Sequence, residues 1–312
     1  PQVYFYVPYA DVLQVREDEE KYTYANGIVS RRKFLKSPLN YIGGKYKLLP
    51  QLIEFFPEKI NTFVDLFSGG FNVGINVDCN KVICNDMNTF IIDLYKELYS
   101  KPIDETLNKI TGRINEYGLS KENEEAFKKF RDYYNKTKEP IDLYTLSCYS
   151  FNYQFRFNNN KEYNNPFGRN RSQFSDNMKS NLILFTEKLK SMNVEFLSEP
   201  FDKVDLSKLN NEDFVYCDPP YLITTGSYND GNRGFKDWKE EEEIQLYKVL
   251  DELNKRKVKF ALSNVIEHKG KENILLKEWS KKYKTIYLTS DYSNSSYNTK
   301  RDKSIEVLII NY

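Results

Sequence analysis

Short apolar runs, most of them ending on a polar residue, recur along this chain and alternate with stretches of helical period. Residues 61–65, 81–86, 194–197, 214–217, 258–264, 285–288 and 305–311 read as strands, the run Phe214-Val215-Tyr216-Cys217 as a buried one. Between them, 46–56, 88–99, 182–192, 240–256 and 272–283 carry the spacing of amphipathic helices. The helix at 240–256 has an acidic first turn and a basic last turn, matched to its dipole. From 100 to 192 strand signals stop, and the sequence becomes charged, tyrosine-rich and helical in period, as over 122–134. This pattern predicts one α/β domain built from 37–99 and 193–312. Residues 100–192 are inserted into it, and 1–36 form an extension that could be a packed edge, a nucleic-acid arm or half of an interface.

At 312 residues the chain can hold one large α/β domain with a smaller inserted one. It opens on Pro1 rather than methionine, as a segment of a longer parent would. No run is long enough to span a membrane and no charged-then-apolar leader is seen, so a cytoplasmic protein is expected. A net charge of +1 says nothing for nucleic acid, but 150–190 carries seven Lys/Arg against three Asp/Glu, a modest basic patch. Cys79, Cys84, Cys148 and Cys217 form no CxxC pair, and His268 is the sole histidine, so a metal site or a His-dependent triad is not expected.

The chemistry concentrates after Cys217. The strand breaks into Asp218-Pro219-Pro220-Tyr221, where the prolines fix φ and bring no N–H. Asp218 and the Pro219 carbonyl thereby become a rigid pair of acceptors at a strand's carboxyl end, beside the flat face of Tyr221. Two acceptors and a stacking face suit an exocyclic amino group on a heteroaromatic ring. Its lone pair is delocalised, and two N–H acceptors favour the tetrahedral state in which it can attack an electrophile.

Two upstream turns suit a ligand. Tyr41-Ile42-Gly43-Gly44-Lys45 is a tight turn where backbone can approach closely. Asp65-Leu66-Phe67-Ser68-Gly69-Gly70, with Gly74 beyond, reads as strand, glycine turn and helix, the first βα crossing of an open sheet. About 20 residues past Asp65, Asp86 tips the next strand, where an acid commonly holds ribose hydroxyls. The glycines spell GGxxxG rather than GxGxxG, which favours a ribose-bearing ligand without pyrophosphate. In the insertion, 150–171 interleaves amides, aromatics and arginines around a turn at 158–161. Such side chains read base edges and grip phosphate, although a hairpin with a polar tip would look the same.

Asp218 to Tyr221 resembles the catalytic motif of S-adenosylmethionine-dependent amino methyltransferases. From 38 to 312 the motif order resembles that of the Dam-like (D12, or α class) adenine-specific DNA methyltransferases. The resemblance implies a Rossmann-like methyltransferase fold: a mostly parallel seven-stranded sheet with an antiparallel final hairpin, plus an inserted helical and hairpin recognition domain. It implies S-adenosylmethionine as cofactor, bound by Tyr41, Gly43, Gly44, Lys45, Asp65, Phe67, Gly69, Gly70, Asp86 and Asp218, with Tyr41 packed on the donor and Lys45 reaching its carboxylate. Catalysis would fall to Asp218, Pro219, Pro220 and Tyr221, and duplex DNA contact to Asn152, Arg156, Arg169 and Arg301. Ser263-Asn264 resembles the motif lining the target pocket, and the glycine-rich 222–235 is expected to be a flap or a surface loop. Phe71-Asn72 departs from the small residues that the family places after its glycine pair.

The expected activity is methyl transfer to adenine N6 by base flipping, with a cognate restriction endonuclease acting separately. Cytosine N4, RNA adenine, a protein glutamine, a DNA-binding protein without catalysis and a nicotinamide oxidoreductase are the competing readings. Intact Asp218 to Tyr221, Lys45 and Asp86 argue against loss of catalysis, and the glycine spacing against a nicotinamide site.

Overall fold

A computed structural model describes residues 34–224, 238–289 and 304–312, together with the backbone of an antiparallel pair of strands, β1 (Lys21–Tyr24) and β2 (Gly27–Ser30). Arg301 and most of 222–235 lie outside the described residues, as does most of the polar turn before the last strand.

The central sheet contains β3 (Thr62–Asp65), β4 (Lys81–Asn85), β5 (Val194–Leu197), β6 (Phe214–Cys217), β7 (Lys259–His268), β9 (Lys284–Leu288) and β10 (Ser304–Ile310), in the order β5-β4-β3-β6-β7-β10-β9. Pairing is parallel from β5 to β7, and β10 runs antiparallel to both its neighbours. The two-residue β8 (Lys271–Glu272) folds back on the end of β7. All four residues of β6 are buried, because helices cover both faces. Phe214 and Tyr216 enter the core on one side, with Phe56 and Phe63, while Val215 and Cys217 enter the other, with Val64 and Leu250. This is a Rossmann-like architecture. The chain runs outward from β3 to β4 on one side and returns to β6 on the other, so a crevice opens beyond the carboxyl ends of β3 and β6, where ligands of such sheets bind.

Helix α1 (Leu49–Glu54) follows a 3-10 turn at Tyr46–Leu48. Then come α2 (Thr89–Ser100), α3 (Ile103–Tyr117), α4 (Glu124–Thr137), α5 (Pro140–Cys148), α6 (Asp176–Ser191), α7 (Glu240–Lys255) and α8 (Ile274–Ser280). Every residue of α5 after Pro140 is buried, so this helix forms the centre of the helical cluster. Its apolar side chains run without a break into the core on the Tyr216 side of the sheet.

Two sequence expectations change. No α-helix follows the glycine turn; Gly74–Asn76 is a single 3-10 turn. Phe71 takes φ 56° and folds its buried ring against Gly74, where a Cβ would lie 2.1 Å from the ring. The next amides are spent on a neighbouring segment: Ser37 N–H donates to Asn72 Oδ1, and Asn76 bonds both the N–H and the carbonyl of Leu35. The departure at Phe71-Asn72 thus trades a helix for a clamp on the segment 35–37. The helix expected over 272–283 is shorter because Glu272 pairs in β8 and Asn273 caps α8 at the Leu276 N–H.

Candidate active site

The carboxyl end of β6 delivers Asp218 into the crevice. Lys45 Nζ lies 2.8 Å from Asp218 Oδ2, and the Tyr221 hydroxyl donates to Asp218 Oδ1 at 2.9 Å. Lys45 also donates to the Gly43 carbonyl at 2.8 Å and sits 5.0 Å from the centroid of the Tyr221 ring. Only 6% of the Lys45 side chain is exposed, against 16% for Asp218, so this ion pair is largely out of water yet reachable from the crevice. Burial pushes the Asp218 carboxyl up, while the Lys45 ammonium and the Tyr221 hydroxyl pull it down, and burial prevails. Pro219 is buried and Pro220 exposed, which fixes the chain on leaving the strand.

Gly44 N–H closes the Tyr41 turn on the Tyr41 carbonyl at 3.2 Å, with Gly43 at φ +82°. The Tyr41 ring lies over the second glycine turn: a Cβ on Gly69, which has φ +45°, would be 2.9 Å from that ring, and one on Gly70 would be 3.1 Å from Tyr41 Cβ. The two turns named from the sequence therefore form one surface.

Asp86, at the end of β4, accepts from Gly69 N–H and Asn88 N–H, both at 2.8 Å. Burial raises its carboxyl against those two bonds. Asp65, 1% exposed, accepts from Gly74 N–H at 3.1 Å; burial drives it up to about 8, with the charges of Asp218 and Asp86 adding to the rise. Asp65, Asp86 and Asp218 gather at the ends of β3, β4 and β6, Asp65 out of water and Asp218 paired with Lys45, an acidic rim that suits a ligand carrying a ribose.

At this edge Tyr95, Phe201, Trp238 and Glu243 carried no sequence signal, and they meet Gly69, Phe67 and Asn264, which did. Tyr95 of α2 donates to the Gly69 carbonyl at 2.7 Å, holding the glycine turn from below. Phe67, Phe201 and Trp238 form a triangle of rings with centroids 5.5, 5.6 and 5.5 Å apart. Glu243, fully buried on α7, accepts from Trp238 Nε1, Tyr247 and Asn264 Nδ2 at 2.5, 2.6 and 2.9 Å. Ser263 bonds the Tyr216 hydroxyl at 2.8 Å, so both residues of the Ser-Asn pair are buried beneath the site. Trp238 and Tyr247 meet Glu243 locally, but Tyr95 with Gly69 and Asn264 with Glu243 are contacts distant in sequence.

The amide-rich segment lies beside the first turn. Asn40 Nδ2 donates to the Asn152 carbonyl at 2.6 Å, and Asn152 and Tyr153 both adopt φ above +50°. Asn158 stabilises its own turn by accepting from Asn160 N–H and Glu162 N–H. Asn135 of α4 holds Tyr163 through both backbone groups, at 2.7 and 3.0 Å, while Lys138 grips the Lys161 carbonyl. Arg156 is half-buried, and Arg169 is exposed and paired with Glu124 at the start of α4.

A profile of the D12 class N6 adenine-specific DNA methyltransferases matches residues 41–294, from the Tyr41 turn across the Asp218 tetrapeptide. The chain belongs to this family. The chain is 62% identical over 279 residues to "Type II methyltransferase M.FokI" of Planomicrobium okeanokoites, with 89% of this chain and 43% of that protein covered. It is 55% identical to "Modification methylase StsI" of Streptococcus sanguinis, covering 91% of this chain and 44% of that protein. "DNA adenine methylase" of Escherichia coli (strain K12) is 28% identical, with 89% and 95% covered. The chain spans less than half the length of the first two relatives.

Proposed function

We propose that this chain transfers a methyl group from S-adenosylmethionine to N6 of adenine at a specific site in duplex DNA. The observation that carries the proposal is Asp218, aimed into the crevice between β3 and β6 from a proline-stiffened strand end, with Tyr221 beside it. Family membership supports the substrate and donor, and the names of M.FokI, a Type II methyltransferase, and StsI, a modification methylase, support a modification role, for which a separate cognate restriction endonuclease is the proposed counterpart.

The donor supplies an electrophilic methyl on a positively charged sulfur. In this reading Asp86 holds the ribose, the Tyr41 ring, which lies over Gly69, packs on the donor, and the Phe67 ring group flanks the crevice. Asp218 and the Pro219 carbonyl accept the two N–H groups of the target amine, freeing its lone pair. Asp218 can take up the proton that the nitrogen sheds, because burial favours its neutral form. Target adenine must leave the stack, at a cost of a few kcal/mol that stacking on Tyr221 partly offsets. Asn152, Arg156 and Arg169, on the segment that touches the Asn40 turn, are the proposed DNA contacts of the described residues, with Arg301 as a further one.

The test is transfer of tritiated methyl to DNA, RNA and protein, with nuclease digestion of the product. Label in N6-methyladenine from duplex DNA is expected, and Asp218→Ala should abolish it while cofactor and DNA still bind. Label in RNA, protein or cytosine, or near-normal turnover by Asp218→Ala, would sink the reading.

A further inference from the structure

Lys45 holds an ammonium almost entirely out of water, and a buried charge needs a partner. Its anion is Asp218, at 2.8 Å from Oδ2, while the other carboxylate oxygen is taken by the Tyr221 hydroxyl. The group that must accept the target amine therefore has a protein donor on each oxygen. Lys45 is also the residue nearest in sequence to the Tyr41-Gly44 turn that faces the glycine turn at Gly69. Lys45 already faces one anion, the Asp218 carboxylate, and the family resemblance gives it a second, the carboxylate of the donor's amino-acid moiety.

Resting on the activity proposed above, we infer that Lys45 is a shared counter-ion coupling the two halves of the site. Without donor it neutralises Asp218 and occupies Oδ2; with donor bound it turns toward the donor's carboxylate and releases Oδ2 for the amino group of the base. Lys45 is then a positioning residue for Asp218 as well as a cofactor contact. Base capture becomes dependent on the donor's presence, and by linkage a base seated on Asp218 strengthens donor binding by the same factor. The other acids here are Asp65 from β3, which burial keeps protonated up to about 8, and Glu306 from β10, whose charge acts on Tyr221; neither is a cation that could take over the role of Lys45.

The inference implies that Asp218 competes with the donor carboxylate for one ammonium, which binding measurements can detect without turnover. The probes are S-adenosylhomocysteine, which keeps the amino-acid carboxylate but carries no sulfonium, and 5′-methylthioadenosine, which lacks that carboxylate. Calorimetry would compare the whole chain with Asp218→Asn, Lys45→Met, Lys45→Arg and the double variant. Asp218→Asn keeps the shape and should tighten S-adenosylhomocysteine by roughly fivefold or more, the lower end of ordinary coupling energies, and leave methylthioadenosine unchanged. That gain should vanish in the Lys45→Met background, as a double-mutant cycle requires of a term transmitted through Lys45. Lys45→Arg should keep the preference for the carboxylate-bearing probe. An equal gain in both backgrounds, or a Lys45→Met chain whose preference for S-adenosylhomocysteine is as large as the wild type's, overturns the inference and leaves the proposed activity standing. A wild-type chain that binds neither probe overturns both.

Discussion

Gly69→Ala should damage the cofactor crevice while leaving the sheet folded. Gly69 has φ +45°, and its added Cβ would sit 2.9 and 3.1 Å from two atoms of the Tyr41 ring. A left-handed conformation costs an L-residue about 1–2 kcal/mol, and overpacking of this kind about 1–3 kcal/mol. Tyr41 is only half-buried, so the strain is relieved by swinging its ring off the glycine turn, away from the proposed donor site. The backbone strain should then appear as lost stability and the displaced ring in binding, at about 1–3 kcal/mol, or roughly 5- to 150-fold in the dissociation constant of S-adenosylhomocysteine. Two neighbouring glycines calibrate the result. Gly43, at φ +82° with no atom within 4 Å of its added Cβ, should cost only the conformational strain of about 1 kcal/mol. Gly74 has no positive φ, but its Cβ would lie 2.1 Å from the fully buried Phe71 ring, so its alanine variant should lose stability instead. Calorimetry for affinity and urea melts for stability separate the three. A Gly69→Ala chain that binds S-adenosylhomocysteine as the wild type does would refute the placement of Tyr41 over the donor.

Asp65 keeps its proton in the folded state up to about 8, but loses it near 3.8 when unfolded. The stability it contributes is therefore complete below pH 4 and declines as pH rises toward 8. Asp65→Asn should flatten that decline, by up to about 1.4 kcal/mol per pH unit in urea melts; an unchanged slope counts against it. Asn135→Ala removes both bonds to the Tyr163 backbone, each typically contributing about 0.5–1.5 kcal/mol, and should raise amide exchange over 157–163. Equal protection in wild type and variant would show that the hairpin holds without Asn135. Arg169→Ala should lower the salt slope of DNA binding by about one, as loss of one phosphate contact requires, whereas Glu124→Gln, which frees Arg169, should tighten binding. Unaltered salt dependence in both would remove Arg169 from the interface.

Most strands were legible before folding, because a four-residue apolar run such as Phe214–Cys217 can be satisfied only between two covered faces. The stiff exit from the strand at Asp218 to Tyr221 was legible too, since proline sets backbone geometry by covalent structure alone. The fate of Phe71-Asn72 was not: in sequence it marked only a departure, and the clamp exists because Leu35 and Ser37 pass within hydrogen-bond reach of Asn76 and Asn72. The same holds for Tyr95 beneath Gly69, for the buried Glu243 that gathers Trp238 and Asn264, and above all for Lys45, which lies on a turn far from Asp218 in the chain but 2.8 Å from it in space. Local sequence determines what each segment can offer, a strand, a stiff turn or a charge. Which charges meet depends on the order in which strands assemble into the sheet, and that order belongs to long-range packing rather than to any local run of residues.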